Sequence, residues 1–282
     1  MSKQLPIGIC SFSFHRLLAA GKQDVFRYIE DCKSLGCTQL DPWNAHLSPV
    51  KDGDAVLHAG RNPHASHHLS AADEKYIDEV RRAADRAGLP FGTIAVDGAH
   101  VYEPTEDARR ANRVNAYRWI DVAAKLGATQ VRIDAGGPED MPDGVFEVIV
   151  AGYRALIERA GEHGIEVLFE NHWGPTLIPS NVERLCETVE GLGLLFDTHN
   201  WKPELREQAW RRCAKYARAT HVKTFDFYAG GNPLDTDVET PIRLLRQEGY
   251  YGTWGIESVP TDGDEIGAAR KTIDLIRRLT SH

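Results

Sequence analysis

The sequence predicts a closed (β/α)8 barrel, the TIM-barrel fold, in which eight parallel strands alternate with eight helices. Eight short apolar segments alternate with eight amphipathic segments at near-regular spacing, and no shift in composition marks a linker. Strict alternation indicates a parallel sheet with right-handed crossovers, and eight such units indicate closure. Since one barrel of this kind takes about 250 residues, we expect the 282 residues to form a single domain, residues 1–282.

Each element follows from apolar periodicity and from the residues that flank it. Ser70 to Asp73 resembles a capping box, Ser180 to Glu183 matches a full one, and Gly36, Gly88, Gly127 and Gly164 end helices. An open doubly wound sheet is the alternative, but it usually has a Gly-rich turn after its first strand, where this chain has Ser11 to Phe14. The predicted strands are 7–14, 37–40, 90–97, 129–134, 165–170, 194–197, 219–225 and 253–257. The predicted helices are 23–35, 70–88, 106–126, 146–163, one that begins at Ser180, 204–216, 241–248 and 266–279.

Composition and charge limit the function classes. The net charge of −8 argues against nonspecific binding to nucleic acid or to anionic lipid, although a local basic patch would escape this argument. No apolar run reaches the roughly 18 residues of a membrane span, and the start of the chain lacks the pattern of a signal peptide. Five scattered cysteines without a C-x-x-C pair predict reduced thiols, so we expect a cytoplasmic protein.

Four polar side chains occupy equivalent positions at the ends of the last four predicted strands: Glu170, Asp197, His221 and Glu257. In a barrel the carboxyl ends of the strands meet at one rim, and that rim carries the chemistry. Three carboxylates packed together repel unless a cation neutralises them. Three oxygens and one imidazole suit Mn²⁺ best, with Mg²⁺, Co²⁺ or Zn²⁺ as alternatives. The competing interpretation is that each residue caps a helix or pairs with a surface lysine.

The motifs around these residues resemble one known family. Phe169-Glu170-Asn171, Phe196 to His199, His221-Val222-Lys223 and Gly255-Ile256-Glu257 are similar to the sugar phosphate isomerase/epimerase group of xylose-isomerase-like TIM barrels. The resemblance implies that Glu170, Asp197, His221 and Glu257 hold one divalent metal ion and that Glu170 and Glu257 are also the acid/base pair. It implies proton transfer on a ketose or related sugar through a metal-bound enediolate. The same residues would serve β-elimination on a keto-sugar or keto-glycoside, so a dehydratase or lyase is the alternative.

Further residues near these strand ends are candidate substrate contacts. His199 follows Asp197 by two positions, Lys223 follows His221 by two, and Arg132 on the fourth strand would orient Glu170 or bind a carboxylate or phosphate. Each has a structural alternative: a rim histidine with satisfied hydrogen bonds, an ion pair, or core packing. The remaining candidates are Trp43, His46, His172 and Trp173. A second group (His58, His64, His67 and His68) has no regular ligand spacing and is interpreted as a loop.

Other functions in the same fold fit less well. Zinc-dependent apurinic-site endonucleases carry further histidines, where this chain has Asn200 and Asp226-Phe227-Tyr228. Xylose isomerase itself uses two metals with additional carboxylates that we do not find. A non-catalytic sugar-binding barrel remains the non-enzymatic alternative. We therefore expect a small-molecule sugar as partner and neither nucleic acid nor a membrane; a homo-oligomer is compatible with the sequence.

Overall fold

Seven parallel strands form the centre of the molecule. The structure, a computed structural model, describes residues 5–47, 67–234 and 236–281. The strands are β1 (Ile7–Ile9), β2 (Thr93–Val96), β3 (Gln130–Ile133), β4 (Glu166–Glu170), β5 (Gly193–Asp197), β6 (Ala217–Thr224) and β7 (Trp254–Ser258). Their order in the sheet is β1-β7-β6-β5-β4-β3-β2, and each neighbouring pair is parallel. The predicted TIM-barrel fold is confirmed.

The gap between β1 and β2 is closed by residues 38–43, where the sequence predicts a strand over 37–40. Leu40 N–H donates to the carbonyl of Pro90, Gly92 N–H donates to that of Leu40, and Ser11 N–H donates to that of Asp41. The segment thus bonds to both neighbours, but through single bridge pairs rather than a continuous ladder. Pro42 explains the interruption, because proline has no N–H to donate.

The helices cover the outside of the sheet. The described residues contain α1 (His15–Ala19), α2 (Val25–Leu35), α3 (Ala71–Ala87), α4 (Glu106–Leu126), α5 (Asp143–Gly161), α6 (Pro179–Thr188), α7 (Arg206–Cys213), α8 (Glu239–Gln247) and α9 (Glu265–Thr280). The Ser70 capping box is confirmed, since Ser70 and Asp73 satisfy each other's backbone N–H groups. The box at Ser180 is wrong: α6 already begins at Pro179, which needs no N–H partner at a helix start.

The first strand is shorter than predicted. It ends at Ile9, and Ser11–Phe14 form a 3-10 turn that leads into α1. Serine hydroxyls stabilise this turn, since Ser11 Oγ accepts from Trp43 N–H (2.8 Å) and Ser13 Oγ accepts from Ser258 N–H (3.0 Å). The alternating Ser and Phe residues therefore fix a turn at the rim of the barrel, and the prediction of strand up to residue 14 is wrong.

The core lies between the sheet and the helices, with Trp119, Trp201, Tyr28 and Tyr153 among its largest fully buried side chains. All five cysteines are free, and four of them are buried. Among the described residues, none of the helices combines the length and the apolar character that crossing a membrane requires.

Strand register aligns the polar strand ends. Asp197 on β5 pairs with His221 on β6, and Lys223 on β6 pairs with Glu257 on β7. Glu170 is the last residue of β4, on the other side of β5. Neighbouring strands lie about 4.8 Å apart, so these four consecutive strands carry their acids and imidazole to one rim.

Candidate metal centre

Four donor side chains converge at this rim. One ligand atom from each of Glu170, Asp197, His221 and Glu257 lies within 4.8 Å of the other three. All four side chains are buried, with residue exposures from 0% for Asp197 to 8% for Glu257. Three buried carboxylates at this separation need positive charge, because their mutual repulsion in a medium of low polarity is large. The structure therefore brings together every residue that the sequence predicts as a metal ligand.

Two protein cations contact these carboxylates directly. His221 Nδ1 lies 3.1 Å from Glu170 Oε1 and 2.9 Å from Glu257 Oε2. Lys223 Nζ lies 3.0 Å from Glu257 Oε1 and 3.2 Å from Asp197 Oδ2. An imidazole that binds a metal must offer a lone pair, so the bonds between His221 and the glutamates would be exchanged for bonds to the ion.

The loop after β5 holds Asp197 with one oxygen saturated. Asp197 Oδ1 accepts from the backbone N–H of His199 (2.6 Å) and of Asn200 (2.8 Å). The side chain of Asn171 bonds to both the N–H and the carbonyl of Asp197, at 2.9 Å each. Asp197 Oδ2 is buried and accepts no hydrogen bond from the described residues, since the contact with Lys223 lacks the required alignment. An orphaned buried carboxylate oxygen that faces two other acids fits a hard divalent cation.

A second acidic group lies beside the first. Arg132 Nη1 bonds to Asp97 Oδ1 (2.9 Å) and to Asp134 Oδ2 (3.0 Å). Arg132 Nε lies 3.1 Å from Glu170 Oε2, at ion-pair distance but without hydrogen-bond alignment. Trp43, a predicted substrate contact, donates its indole N–H to Asp97 Oδ2 (2.7 Å). Arg132 therefore contacts Glu170, as one of its two predicted roles requires, and its guanidinium is already shared among three acids.

His172 and Trp173 join the same group through Asp134. His172 Nδ1 (2.9 Å) and Trp173 Nε1 (3.1 Å) both contact Asp134 Oδ2. The Trp173 ring packs edge-on against His100, and the residue remains 38% exposed. Both residues are thus held by Asp134 next to Arg132, and Trp173 remains open to solvent.

Burial and charge act in opposite directions on the pKa values of the four donors. Burial alone would raise the pKa of Glu257 and Glu170; Lys223 and His221 outweigh it at Glu257, and His221 and Arg132 outweigh it at Glu170, so both pKa values are lowered. At Asp197, by contrast, burial dominates and raises the pKa in spite of Lys223. Burial would lower the pKa of His221, but Glu170 in particular raises it well above its usual range. Both glutamates are therefore ionised at neutral pH.

The other predicted contacts lie at different depths. His199 is at the rim, where its Nε2 accepts from Arg206 Nη2 (3.4 Å) and its ring meets Phe225 edge-on. Burial, together with Arg206 and Lys223, lowers the pKa of His199 to about 4. His46 is buried among aromatic rings, near Tyr28 and Trp43, rather than at the open rim.

The predicted histidine-rich loop is only partly described. His58 and His64 lie outside the described residues. The rings of His67 and His68 contact each other at a tilt, with centroids 4.4 Å apart. His67 also meets Tyr117 of α4 edge-on.

Sequence reasoning missed several residues of the site. Asp97 and Asp134 directly follow β2 and β3, so the rule that selected Asp197 would have selected both. Asn200 accepts from Lys223 Nζ (2.7 Å) and contacts Glu170 Oε1 (3.3 Å). Cys10 forms a further close group with His221 and Glu257, and only the spatial neighbourhood of β1 and β7 reveals it.

Comparisons with known proteins agree with this architecture. A family model described as xylose isomerase-like TIM barrel matches residues 29–279. No protein of curated function matches the sequence significantly.

Solved structures show the same fold at low sequence identity. A D-psicose 3-epimerase from Clostridium cellulolyticum H10, solved with D-tagatose, has a TM-score of 0.69 at 16% identity, covering 98% of this chain and 99% of that one. The probable 3-DHS dehydratase AsbF from Bacillus anthracis gives 0.66 at 12% identity, covering 96% and 99%. The IolI protein, solved with a bound zinc atom, gives 0.72 at 12% identity, covering 99% and 100%.

Proposed function

Because the chain belongs to the xylose isomerase-like TIM barrel family, we propose that it is a divalent-metal-dependent sugar isomerase or epimerase. The observation that carries the proposal is the convergence of Glu170, Asp197, His221 and Glu257 within 4.8 Å at the rim of four successive strands. These four residues would hold the ion, and the oxygen-rich set favours Mn²⁺, with Mg²⁺, Co²⁺ and Zn²⁺ as alternatives. A zinc atom in a protein of this fold and an epimerase solved with a ketose support the class.

The two glutamates are the proposed proton carriers. A bound divalent ion supplies Lewis acidity to a substrate carbonyl and its neighbouring hydroxyl. Glu257 and Glu170 are both ionised, so either can accept the proton from the carbon next to the carbonyl. If the second glutamate returns a proton to the opposite face of the same carbon, the result is epimerisation. If the proton goes to the adjacent carbon instead, the result is aldose–ketose isomerisation.

The surrounding residues keep these carboxylates ready. Lys223 contacts Glu257 and Arg132 contacts Glu170, so each proton acceptor has its own cation. Asn200 bridges the two, since it bonds to Lys223 and contacts Glu170. Trp43, His172, His199 and Trp173 are the proposed walls for a sugar, and His46 would support Trp43 from below.

The test measures exchange of carbon-bound hydrogen of the sugar with solvent, so the product does not have to be identified. The protein, loaded with Mn²⁺, is incubated in D₂O with a panel of ketoses and 3-keto sugars, and deuterium at carbon is read by NMR. We expect metal-dependent incorporation into at least one sugar, and loss of incorporation in Glu257→Gln. Measurement of bound metal by mass spectrometry runs in parallel.

Two results would contradict the proposal. Stoichiometric metal binding without exchange into any sugar of the panel, combined with tight sugar binding, would indicate the non-catalytic sugar-binding barrel. Failure to bind any of the four divalent ions would remove the metal centre itself. Exchange without a new sugar signal still supports the proposed chemistry, because proton removal has then occurred.

One feature of the site favours elimination as the second candidate. His172 contacts Asp134 and lies beside Glu170 within one close group of three titratable side chains, and its side chain is 36% exposed. A proton donor beside Glu170, in addition to the two glutamates, would serve to protonate a departing hydroxyl. The probable 3-DHS dehydratase AsbF has the same fold. If the protein removes water from a 3-keto sugar, which the ultraviolet absorbance of the enone product would measure, the lyase is the correct assignment.

A further inference from the structure

Arg206 is a half-buried arginine at the rim of the site without a carboxylate partner. It is the first residue of α7, which follows the loop after Asp197. Its Nε is buried and has no hydrogen-bond partner among the described residues. Among the described residues, the only hydrogen bond of the guanidinium runs from Nη2 to His199 Nε2, at 3.4 Å. A guanidinium placed in this way loses hydration without gaining an ion pair.

Other arginines of the described chain show how unusual this is. Arg132 in the site contacts three acids. The other partly buried arginines of the described chain also pair with acids: Arg109, Arg118, Arg159, Arg184 and Arg212. Among the described arginines that are at least partly buried, Arg206 alone has no carboxylate partner, whereas the exposed Arg81 and Arg154 lack one where water hydrates them.

The contact with His199 orients Arg206 without cancelling its charge. A guanidinium only donates hydrogen bonds, so the imidazole nitrogen that it meets must carry a lone pair. Such a ring is neutral and leaves the full positive charge available. His199 is held in turn by its backbone N–H bond to Asp197 Oδ1 and by the ring of Phe225.

Among the described residues, the acid that raises the pKa of Arg206 is Asp197 of the metal centre. Burial lowers the pKa of Arg206, and Asp197 partly offsets the effect. A divalent ion held by Asp197 would neutralise that carboxylate, so in the metal-loaded protein Arg206, which contacts His199 at the rim, would have no carboxylate partner among the described residues. An anionic ligand group is the remaining source of negative charge.

We propose that Arg206 binds an anionic group of the substrate, so that the protein acts on a sugar derivative with a carboxylate or a phosphate group. The inference rests on the proposed function, since it assigns the substrate class of the same site. His199 is the positioning residue that aims the guanidinium. Arginine suits this task because its planar fork matches two oxygens of either group.

The experiment uses three unreactive ligands of one chain length, D-glucitol, D-gluconate and D-glucitol 6-phosphate. Binding to the Mn²⁺-loaded protein is measured by calorimetry. We expect at least one anion to bind about ten to a hundred times more tightly than glucitol, and the advantage to disappear in Arg206→Gln, because hydrogen bonds to charged groups contribute that much. Preference for gluconate assigns a carboxylate, and preference for the phosphate ester assigns a phosphate.

Controls separate this inference from the metal centre and from the proposed reaction. Arg206→Lys should keep part of the advantage, and Arg154→Gln on the outer face of α5, where Arg154 bonds to the carbonyl of Thr188, should keep all of it. Bound metal is measured in every variant, so that a lost ion is not mistaken for a lost anion contact. An equal preference for anions in wild type and Arg206→Gln, or no preference in wild type, overturns the inference. Since none of the ligands reacts, failure of the exchange assay with sugars leaves this result intact.

Discussion

Two neighbouring acidic clusters at the same rim differ in the cations that neutralise them. In the lysine-side cluster, the flexible ammonium of Lys223 contacts Asp197 and Glu257, and His221 contacts Glu257. In the arginine-side cluster, the rigid guanidinium of Arg132 contacts Asp97 and Asp134, and His172 contacts Asp134. Glu170 lies between them and contacts both His221 and Arg132.

The difference shows which cluster can exchange its countercharge for a metal ion. Asp134 Oδ2 receives Arg132, His172 and the indole N–H of Trp173, and the pKa of Asp134 falls to about 2 because these groups outweigh its burial. One oxygen of each aspartate, Asp134 Oδ1 and Asp197 Oδ2, accepts no hydrogen bond from the described residues, so the two differ in charge balance: burial raises the pKa of Asp197 in spite of Lys223. Asp134, Glu170 and His172 also lie close enough to hold an ion, but their charge is already balanced. We therefore place the ion on the lysine side.

The largest expected effect is on turnover. Glu257→Gln keeps the shape of the side chain but removes a proton acceptor, and general acid–base groups contribute about 10²–10⁴ to the rate. We expect kcat to fall at least about a thousandfold once a substrate is known. The matched control is Glu166→Gln at the other end of strand β4, which bonds to Gln130 and should keep its activity. Activity that survives in Glu257→Gln would place the acid/base role elsewhere.

The next effect tests the lysine-side cluster alone. Lys223→Met leaves Asp197 and Glu257 without their ammonium, and removal of one partner from a buried ion pair costs about 3–5 kcal/mol. We expect the metal-free protein to lose about that much free energy of unfolding in urea. We also expect affinity for Mn²⁺ to rise, because the lysine ammonium no longer competes with the ion for Asp197 and Glu257. A metal-free variant as stable as wild type would show that Lys223 is not the countercharge.

Much of this arrangement could be predicted from the sequence. The run from Gly193 to Asp197 places four buried residues before one acid, and a buried strand cannot carry an unpaired charge in its interior. The same rule found Glu170 and Glu257, and the barrel fold then implies that their ends share a rim. Periodicity and strand-end chemistry are local signals, so a single sequence contains them.

The balance of charge could not be predicted in this way. That Arg132 is shared among three acids while Arg206 has none depends on side-chain directions across different strands and helices. The turn at Ser11 depends on hydroxyl bonds to Trp43 and Ser258, which are distant in sequence. The interruption at Pro42 is a local signal, and it limits the predicted second strand to bridge pairs.

A third test compares one residue from each side. Glu170→Ala should weaken binding of Mn²⁺ at least about a hundredfold, because the loss of even an outer partner of a ligand costs about 10–100-fold. Asp134→Asn should leave metal content unchanged, since the arginine-side cluster does not hold the ion. Isothermal titration of metal-free samples measures both. Full occupancy in Glu170→Ala, or an empty site in Asp134→Asn, would reverse the assignment of the two clusters.

The smallest effect is the pH dependence of the arginine-side cluster. Burial alone would lower the pKa of His172, but Asp134 and Glu170 raise it to about 9, so the folded protein holds a proton that the unfolded chain releases near pH 6.5. Stability from this proton is complete below about pH 6.5 and is lost as the pH rises through about 9. Since the side chain is 36% exposed, solvent screening reduces the contribution to about 1 kcal/mol. The difference in unfolding free energy between wild type and His172→Gln, both metal-free, should therefore shrink between pH 6.5 and pH 9, and a difference that stays constant would mean that His172 is neutral in the fold.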